Sequence, residues 1–530
     1  MGDVAYTLKV FRQIGLIAPG WPHRQVGAGL QLAKWGPGFP SGVHAASKRH
    51  PHQKAIIDDA GELTWREVSQ QINQLTHWLR ERGVGEGDSV ALLARNHRYM
   101  VIAMVAIMQV GGRVLLLNTM ASASQLGELA KRESAALVML DDEFLKVAVD
   151  VPDDDILLTW NDSGSDKPTV EQVIQGRPTS AHKTPDKHGS VVIFTSGTTG
   201  LPKGARREEP KDLKPLVTYF GAIPYSGNST VVLASPLFHS WGLINFGFGL
   251  ITAPTYVLRR KFDAAQVLDD IERYEAEVLV VVPLMIQRLV DVDPEIIRSK
   301  DVSSLRITAS SGSALAGELA THFMDTYTDS VYNFYGATET GWVTIASPED
   351  LRAAPGTAGR PPHRTTVKIL DADGRDLPQG ETGVIHVGND MPFGGYTDGN
   401  TKQFSDEGLM NTGDLGHFDD GGRLFVSGRD DDMVISGGEN VFPRELEDAL
   451  IEHPKISDVV VTGISDPDWG QCLAAYVVVR DGEDVSEDEV VAFAKDRVAR
   501  FAVPRRIQFL DELPRNPTGK VMKRELPEFE

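Results

Sequence analysis

The sequence predicts an α/β protein. A large body of two parallel-rich α/β subdomains and a small antiparallel β subdomain is followed by a small α+β unit. Three observations carry this expectation. Short β-branched runs alternate with amphipathic helical segments from about residue 64 to residue 309, the pattern of parallel strands covered by helices. From about residue 365 the pattern changes to short strands separated by turn residues. Beyond Gly428 a compact tail carries its own helices and strands, dividing the chain into residues 1–429 and 430–530.

Residues 1–45, with Pro19, Pro22, Pro37 and Pro40, read as irregular apart from a short amphipathic helix within TLKVFRQIGLI that exposes Lys9 and Arg12. Packing of that helix on the body is the expectation, and peripheral contact with a membrane surface the alternative. Thr64-x-x-Glu67 is a capping box. Val68, Ile72, Leu75, Trp78 and Leu79 then mark one face of a helix that stops near Gly83. Strands follow at 90–94, 114–117 and 137–140, with a helix at 100–110. The same rhythm resumes with strands at 231–234, 278–282 and 305–309 and a helix at Ala264–Tyr274. LDADGRDL and FDDGGRLFV are hairpin signals among strands at 367–370, 383–387 and 424–426. The tail holds a helix at 444–452, strands at 459–462 and 474–479, and a capped helix opening at Ser486-x-x-Glu489.

A chain of 530 residues is too long for one ordinary core. With 41% hydrophobic and 24% charged residues it has a globular composition, and no run of 18 apolar residues suggests a transmembrane helix. The single cysteine, Cys472, excludes an intramolecular disulfide and points to a reducing, cytoplasmic setting. No secretory signal precedes the body, and Tyr6 breaks the myristoylation pattern. A formal charge of −21 argues against nucleic acid as the main partner. The scattered histidines and Cys472 form no zinc constellation. Assembly into a homo-oligomer is left open.

The most informative stretch is VVIFTSGTTGLPKG, residues 191–204. A buried strand runs into a loop of small residues: Thr195, Ser196, Thr198 and Thr199 supply hydroxyls, Gly197 and Gly200 close backbone approach, and Lys203 a cation. Such a loop can wrap polyphosphate, although the Walker A spacing is absent. A plain glycine turn is the alternative reading. Four further clusters accompany it in order: NFYGATET (333–340), NTGDLG (411–416), GRDDDMVISGGENVFPRELE (428–447) and PRNPTGK (514–520).

Together these segments resemble the adenylate-forming superfamily, specifically its acyl-CoA synthetases and ligases. The likeness is close from about residue 190 onward and loose before it. It implies an adenylation body over 1–429, a mobile lid over 430–530, and ATP, Mg²⁺, CoA and a carboxylic acid as reactants. By the same resemblance Glu339 is the magnesium ligand, Thr338 a phosphate contact, and Tyr335 the ring against adenine beside Gly336. Gly312, Ser313 and Ala314 flank adenine and the acyl chain, and Asp414 and Arg429 hold the ribose. Lys520 is the catalytic cation, which bridges two anions that otherwise repel. Asp431 matches the pivot between body and lid, Gly437 and Gly438 the pantetheine path, and His239 the gate at the acid pocket, with Trp241 and Phe246 either lining that pocket or filling the core.

The sequence departs from the family where Ala205-Arg206-Arg207-Glu208-Glu209 follows Lys203 and where Leu409-Met410-Asn411 precedes TGD. FAVP at 501–504 also lacks the lysine that often precedes that proline. No catalytic group is lost by these changes. The expectation is an acid:CoA ligase acting on a medium- or long-chain fatty acid. An aryl or other ring-bearing acid, a carrier-protein acceptor, and a non-catalytic nucleotide sensor are its rivals.

Overall fold

The computed structural model describes residues 3–17, 22–36, 38–195, 203–207, 212–391, 393–396, 401–429, 432–436, 439–466 and 470–529. Its strands form four sheets. In the eight-stranded sheet the order is Gly341–Ala346, Val331–Ala337, Ile307–Ser310, Val278–Val281, Thr230–Leu233, Thr255–Val257, Lys54–Asp58 and Gly61–Thr64. It is parallel except at its two ends, where Gly341–Ala346 and Gly61–Thr64 pair antiparallel. The seven-stranded sheet is parallel from Ser190–Thr195 to Ile156–Trp160, and Lys203–Arg207 and Phe393–Tyr396 extend it antiparallel.

The two large sheets share one core. Helix Arg98–Gln109 touches strands of both, and its residues from Met100 to Gln109 are all buried. An apolar helix with no polar face is what that position requires. Helix Trp65–Glu81 covers it, capped by Thr64 and Glu67 in a reciprocal capping box. The antiparallel expectation for 367–426 holds: Thr366–Leu370, Gly383–Gly388, Met410–Phe418 and Leu424–Arg429 form a four-stranded sheet over its own small core. The tail folds on a fourth, five-stranded sheet with a separate apolar core that includes Leu446, Val461 and Leu473. Ser486 caps its last α-helix by accepting from the Glu489 backbone N–H.

Beyond the expected first helix, the irregular reading of 1–45 is overturned. Helices occupy Asp3–Gln13, Pro22–Trp35 and Phe39–Arg49. Pro22 heads the second and Pro40 lies in the first turn of the third, where a missing N–H costs no helical hydrogen bond; Pro19 and Pro37 lie outside the described residues. The first helix packs on the body as expected, with Lys9 and Arg12 exposed. Val10 and Ile14 are buried, and Gln13 donates to the carbonyls of Phe220 at 3.0 Å and Tyr225 at 3.2 Å. Among the described residues no helix is long and apolar enough to cross a membrane.

Candidate active site

Two neighbouring parallel strands end at one cavity. Ile307–Ser310 continues into a loop where Gly312 takes φ +102°, and Val331–Ala337 carries Tyr335. Strand ends of a parallel sheet are where α/β folds hold ligands. The antiparallel sheet supplies the opposite wall. Asp414 and Arg429 stand directly across from each other on paired strands, a register reached through a bulge between Leu415 and Gly416. The Tyr335 hydroxyl donates to Asp414 Oδ2 at 2.6 Å, and Arg429 Nε lies 3.9 Å from Asp414 Oδ1. Burial, and then the Asp414 carboxylate, holds the Tyr335 phenol far above its ordinary pKa, so it stays a donor. Gly312, Ser313, Ala314 and Gly336 line the same space, a cavity of about 520 Å³.

The fourth wall comes from the tail, and Lys520 lines it. The PRNPTGK segment is a tight turn organised by Asn516. Its Oδ1 accepts from the Thr518 N–H at 3.0 Å, the Thr518 hydroxyl at 2.7 Å and the Lys520 N–H at 2.9 Å. Arg515 clasps Asp458 through Nε at 3.1 Å and Nη2 at 2.6 and 2.8 Å, and also donates to the Gly519 carbonyl. The turn comes close to the body at Gly312 and at Gly519. A Cβ at Gly312 would stand 3.8 Å from the Thr518 carbonyl, and one at Gly519 would stand 2.9 Å from Leu284 Cβ. At Gly519, where φ is +78°, only a glycine fits both the backbone and the gap.

Glu339 and Thr338 follow the strand that carries Tyr335. Glu339 accepts a hydrogen bond from the Tyr396 hydroxyl at 2.5 Å, and the Thr338 hydroxyl donates to Ser240 Oγ at 3.2 Å. Both are oxygen donors, which suits a hard cation that takes its remaining ligands from phosphate and water. Among the described residues no group of three or more His, Cys, Asp or Glu could hold a metal by itself.

Ser240 opens helix Ser240–Gly249, and His239 is its N-cap residue. Burial lowers the His239 pKa to about 4, and its Nε2 has no hydrogen-bond partner among the described residues. The ring is therefore neutral near pH 7. Trp241 is in the wall rather than free in a pocket: its Nε1 donates to the Val281 carbonyl at 2.9 Å and its ring lies 4.9 Å from that of Phe334. Phe246 is core, 1% exposed. Asn245, one turn beyond Trp241, accepts from both Tyr219 and Tyr225 at 2.6 Å.

Thr195 ends the strand entering the glycine loop and pairs in register with Lys203 at the start of the strand leaving it; their side chains are outside the described set. Ser196, Gly197, Thr198, Thr199 and Gly200 lie outside the described residues, as do Asp431, Gly437 and Gly438. The structure thus brings Gly312, Ser313, Ala314, Tyr335, Gly336, Asp414, Arg429 and Lys520 around one cavity. Thr338 and His239 approach each other through Ser240. Sequence reasoning missed Ser240, Tyr396, Asn516, Arg515 and Asp458. Asn516 and Arg515 stood within a recognised cluster, but nothing local marked the other three.

Residues 43–397 match the model of the AMP-binding enzyme family, and residues 445–520 match that of its C-terminal domain. The chain is 30% identical over 507 residues to the 2-succinylbenzoate–CoA ligase of Bacillus licheniformis, covering 92% of this chain and 99% of that one. It is 28% identical to a fatty acid–[acyl-carrier-protein] ligase of Streptomyces coeruleorubidus over 497 residues, 91% of this chain and 94% of the relative. Among solved structures, the o-succinylbenzoate CoA synthetase of Bacillus subtilis in complex with its acyl-adenylate intermediate superposes with a TM-score of 0.78 at 26% identity. That match covers 92% of this chain and 98% of the other.

Proposed function

The chain belongs to the AMP-binding enzyme family, and we propose that it is an acid:CoA ligase that forms an acyl-adenylate from ATP and then a thioester. The observation that carries this reading is Lys520, presented by the tail to the cavity that Tyr335, Asp414 and Arg429 line. In the first step a carboxylate oxygen attacks the α-phosphorus and pyrophosphate leaves. The two reactants are anions, and the Lys520 ammonium offsets their repulsion and the charge that grows in the transition state. Asp414 accepts from the ribose hydroxyls and Arg429 donates to the same sugar, while Tyr335 lies along the adenine. The glycine loop from Thr195 to Lys203 cradles the phosphates. Glu339 would hold Mg²⁺, which neutralises phosphate charge when bound, and Thr338 would contact the phosphate. In the second step the CoA thiol loses its proton to solvent, its sulfur bonds the acyl carbon, and AMP leaves.

Two chemistries at one site need two poses of the tail. We assign the body to 1–429 and the lid to 430–530, with Asp431 as pivot and Gly437 and Gly438 along the pantetheine path. The setting assigned is the cytoplasm.

A ring-bearing acid is supported by the likeness to the 2-succinylbenzoate–CoA ligase of Bacillus licheniformis. The fatty-acid reading is supported by the likeness to the Streptomyces ligase. Acid-dependent pyrophosphate exchange, run over a panel of aryl and alkyl acids with and without CoA, tests both. Exchange with aryl acids and thioester formation with CoA are expected. Alkyl acids alone driving exchange would transfer the reading to fatty acids, and no exchange with any acid would remove the ligase assignment.

A further inference from the structure

A second cavity lies on the far side of helix Ser240–Gly249. Its volume is about 420 Å³, within the range of small-molecule sites. Helix Phe39–Arg49 contributes Phe39 and Ala45, helix Ser240–Gly249 contributes Leu243 and Phe248, and Leu32 of helix Pro22–Trp35 stands at the rim. None of its lining residues lines the nucleotide cavity. A layer of aromatic rings separates the two: Phe248 packs on Tyr219 with centroids 5.4 Å apart, and Tyr219 on Phe334 at 6.5 Å.

One buried cation interrupts this lining; the other charged lining residue, Asp212, is exposed and paired with Lys214 at 2.9 Å. Arg49 is 7% exposed, and two backbone carbonyls fix its guanidinium, that of Ile251 at 2.7 Å and that of Gly15 at 3.1 Å. Burial lowers its pKa, the mark of a charge held largely out of water. The approach is apolar as well. Leu32, at the mouth, is 41% exposed.

An apolar chamber with a fixed guanidinium in its wall suits a ligand with one hydrocarbon chain and one carboxylate, since the chain leaves water and the head gains a charge-assisted hydrogen bond. We propose that this cavity is an accessory site for a single-chain alkyl carboxylate, distinct from the site where acids are activated. The inference does not depend on which acid the enzyme ligates.

Equilibrium dialysis of the full chain with radiolabelled decanoate, without ATP, tests it. Ala45→Phe fills the chamber from its wall. Gly29→Leu fills its mouth, where a Cβ at Gly29 meets no atom within 4 Å and leucine is the better helix former. Both variants should weaken decanoate binding at least about tenfold and leave acid-dependent AMP release within about twofold of wild type. Arg49→Gln should weaken decanoate by about tenfold while leaving decanol unchanged. Undiminished decanoate binding in both filled variants, or no binding by the wild type, would overturn the site. So would AMP release that falls in step with binding, which would make the chamber the tail seat of the reacting acid.

Discussion

The two sides of the nucleotide cavity are built differently. On the body side, Tyr335, Asp414 and Arg429 are on strands, and their positions follow from sheet pairing and one 2.6 Å hydrogen bond between side chains. On the tail side, Lys520 leaves a turn that is held by Asn516 and by the Arg515–Asp458 clasp, all within the tail itself. The turn approaches the body closely at Gly312, near the Thr518 carbonyl, and at Gly519, against Leu284. The contrast teaches that recognition and charge delivery need not share a core. On the proposed reading, a pair of sheets keeps the nucleotide while a self-contained turn is withdrawn and returned intact.

If the contrast is right, substitutions on the tail side should separate the two half-reactions and substitutions on the body side should not. Lys520→Ala is expected to slow acyl-adenylate formation by about a hundred- to a thousandfold, while thioester formation from supplied acyl-adenylate stays within a few-fold. Equal losses measured in the two half-reactions would put Lys520 outside the assigned role. Asp414→Ala should raise the ATP KM by about ten- to a hundredfold through lost charge-assisted hydrogen bonds, and it should impair AMP binding in both half-reactions, as titration calorimetry with AMP can check. Asp458→Ala removes the clasp without touching Lys520. It is expected to lower adenylation by about tenfold by loosening the turn, with thioester formation spared; a change confined to melting temperature would reduce the clasp to a structural pair.

The smallest effect concerns His239. Its folded pKa, about 4, lies below the ordinary 6.5, so the folded state resists protonation. Stability from this group is full above about pH 6.5 and is lost as pH falls towards 4, by up to about 1.4 kcal/mol per pH unit. His44, lowered to about 4 by burial, adds a term of the same sign. His239→Gln should flatten the fall in denaturation midpoint between pH 6.5 and 4 without moving the acid limb of activity between pH 5 and 7. An unchanged slope would mean that the ring is already protonated or solvated in the folded protein.

Local signals decided how much of this could be read from the chain. The parallel sheets, the Thr64–Glu67 capping box and the hairpins after residue 365 rest on neighbours a few residues apart, and each was legible. The second and third N-terminal helices were not, because prolines were read as breakers when Pro22 and Pro40 sit in first turns. The motif residues were legible as motifs, but their holders were not. Tyr396 reaches Glu339 across 57 positions, Ser240 reaches Thr338 across 98, and Asp458 reaches Arg515 across 57. A tyrosine, a serine and an aspartate in ordinary surroundings carry no trace of such distant partners until the sheets are assembled.

The bulge in the hairpin that carries Asp414 has a consequence for how this protein tolerates insertions. Val426 faces Gly416, yet Gly428, not Ser427, faces Leu415. Were Ser427 to pair in the ladder instead of bulging, Asp414 would face Gly428 and the guanidinium of Arg429 would fall one rung short. Because side chains alternate between the two faces of a sheet, one residue inserted between Leu424 and Ser427 and taken up by the ladder would shift this pairing and dismantle the proposed sugar seat, while leaving every residue of the signature motifs spelled as before.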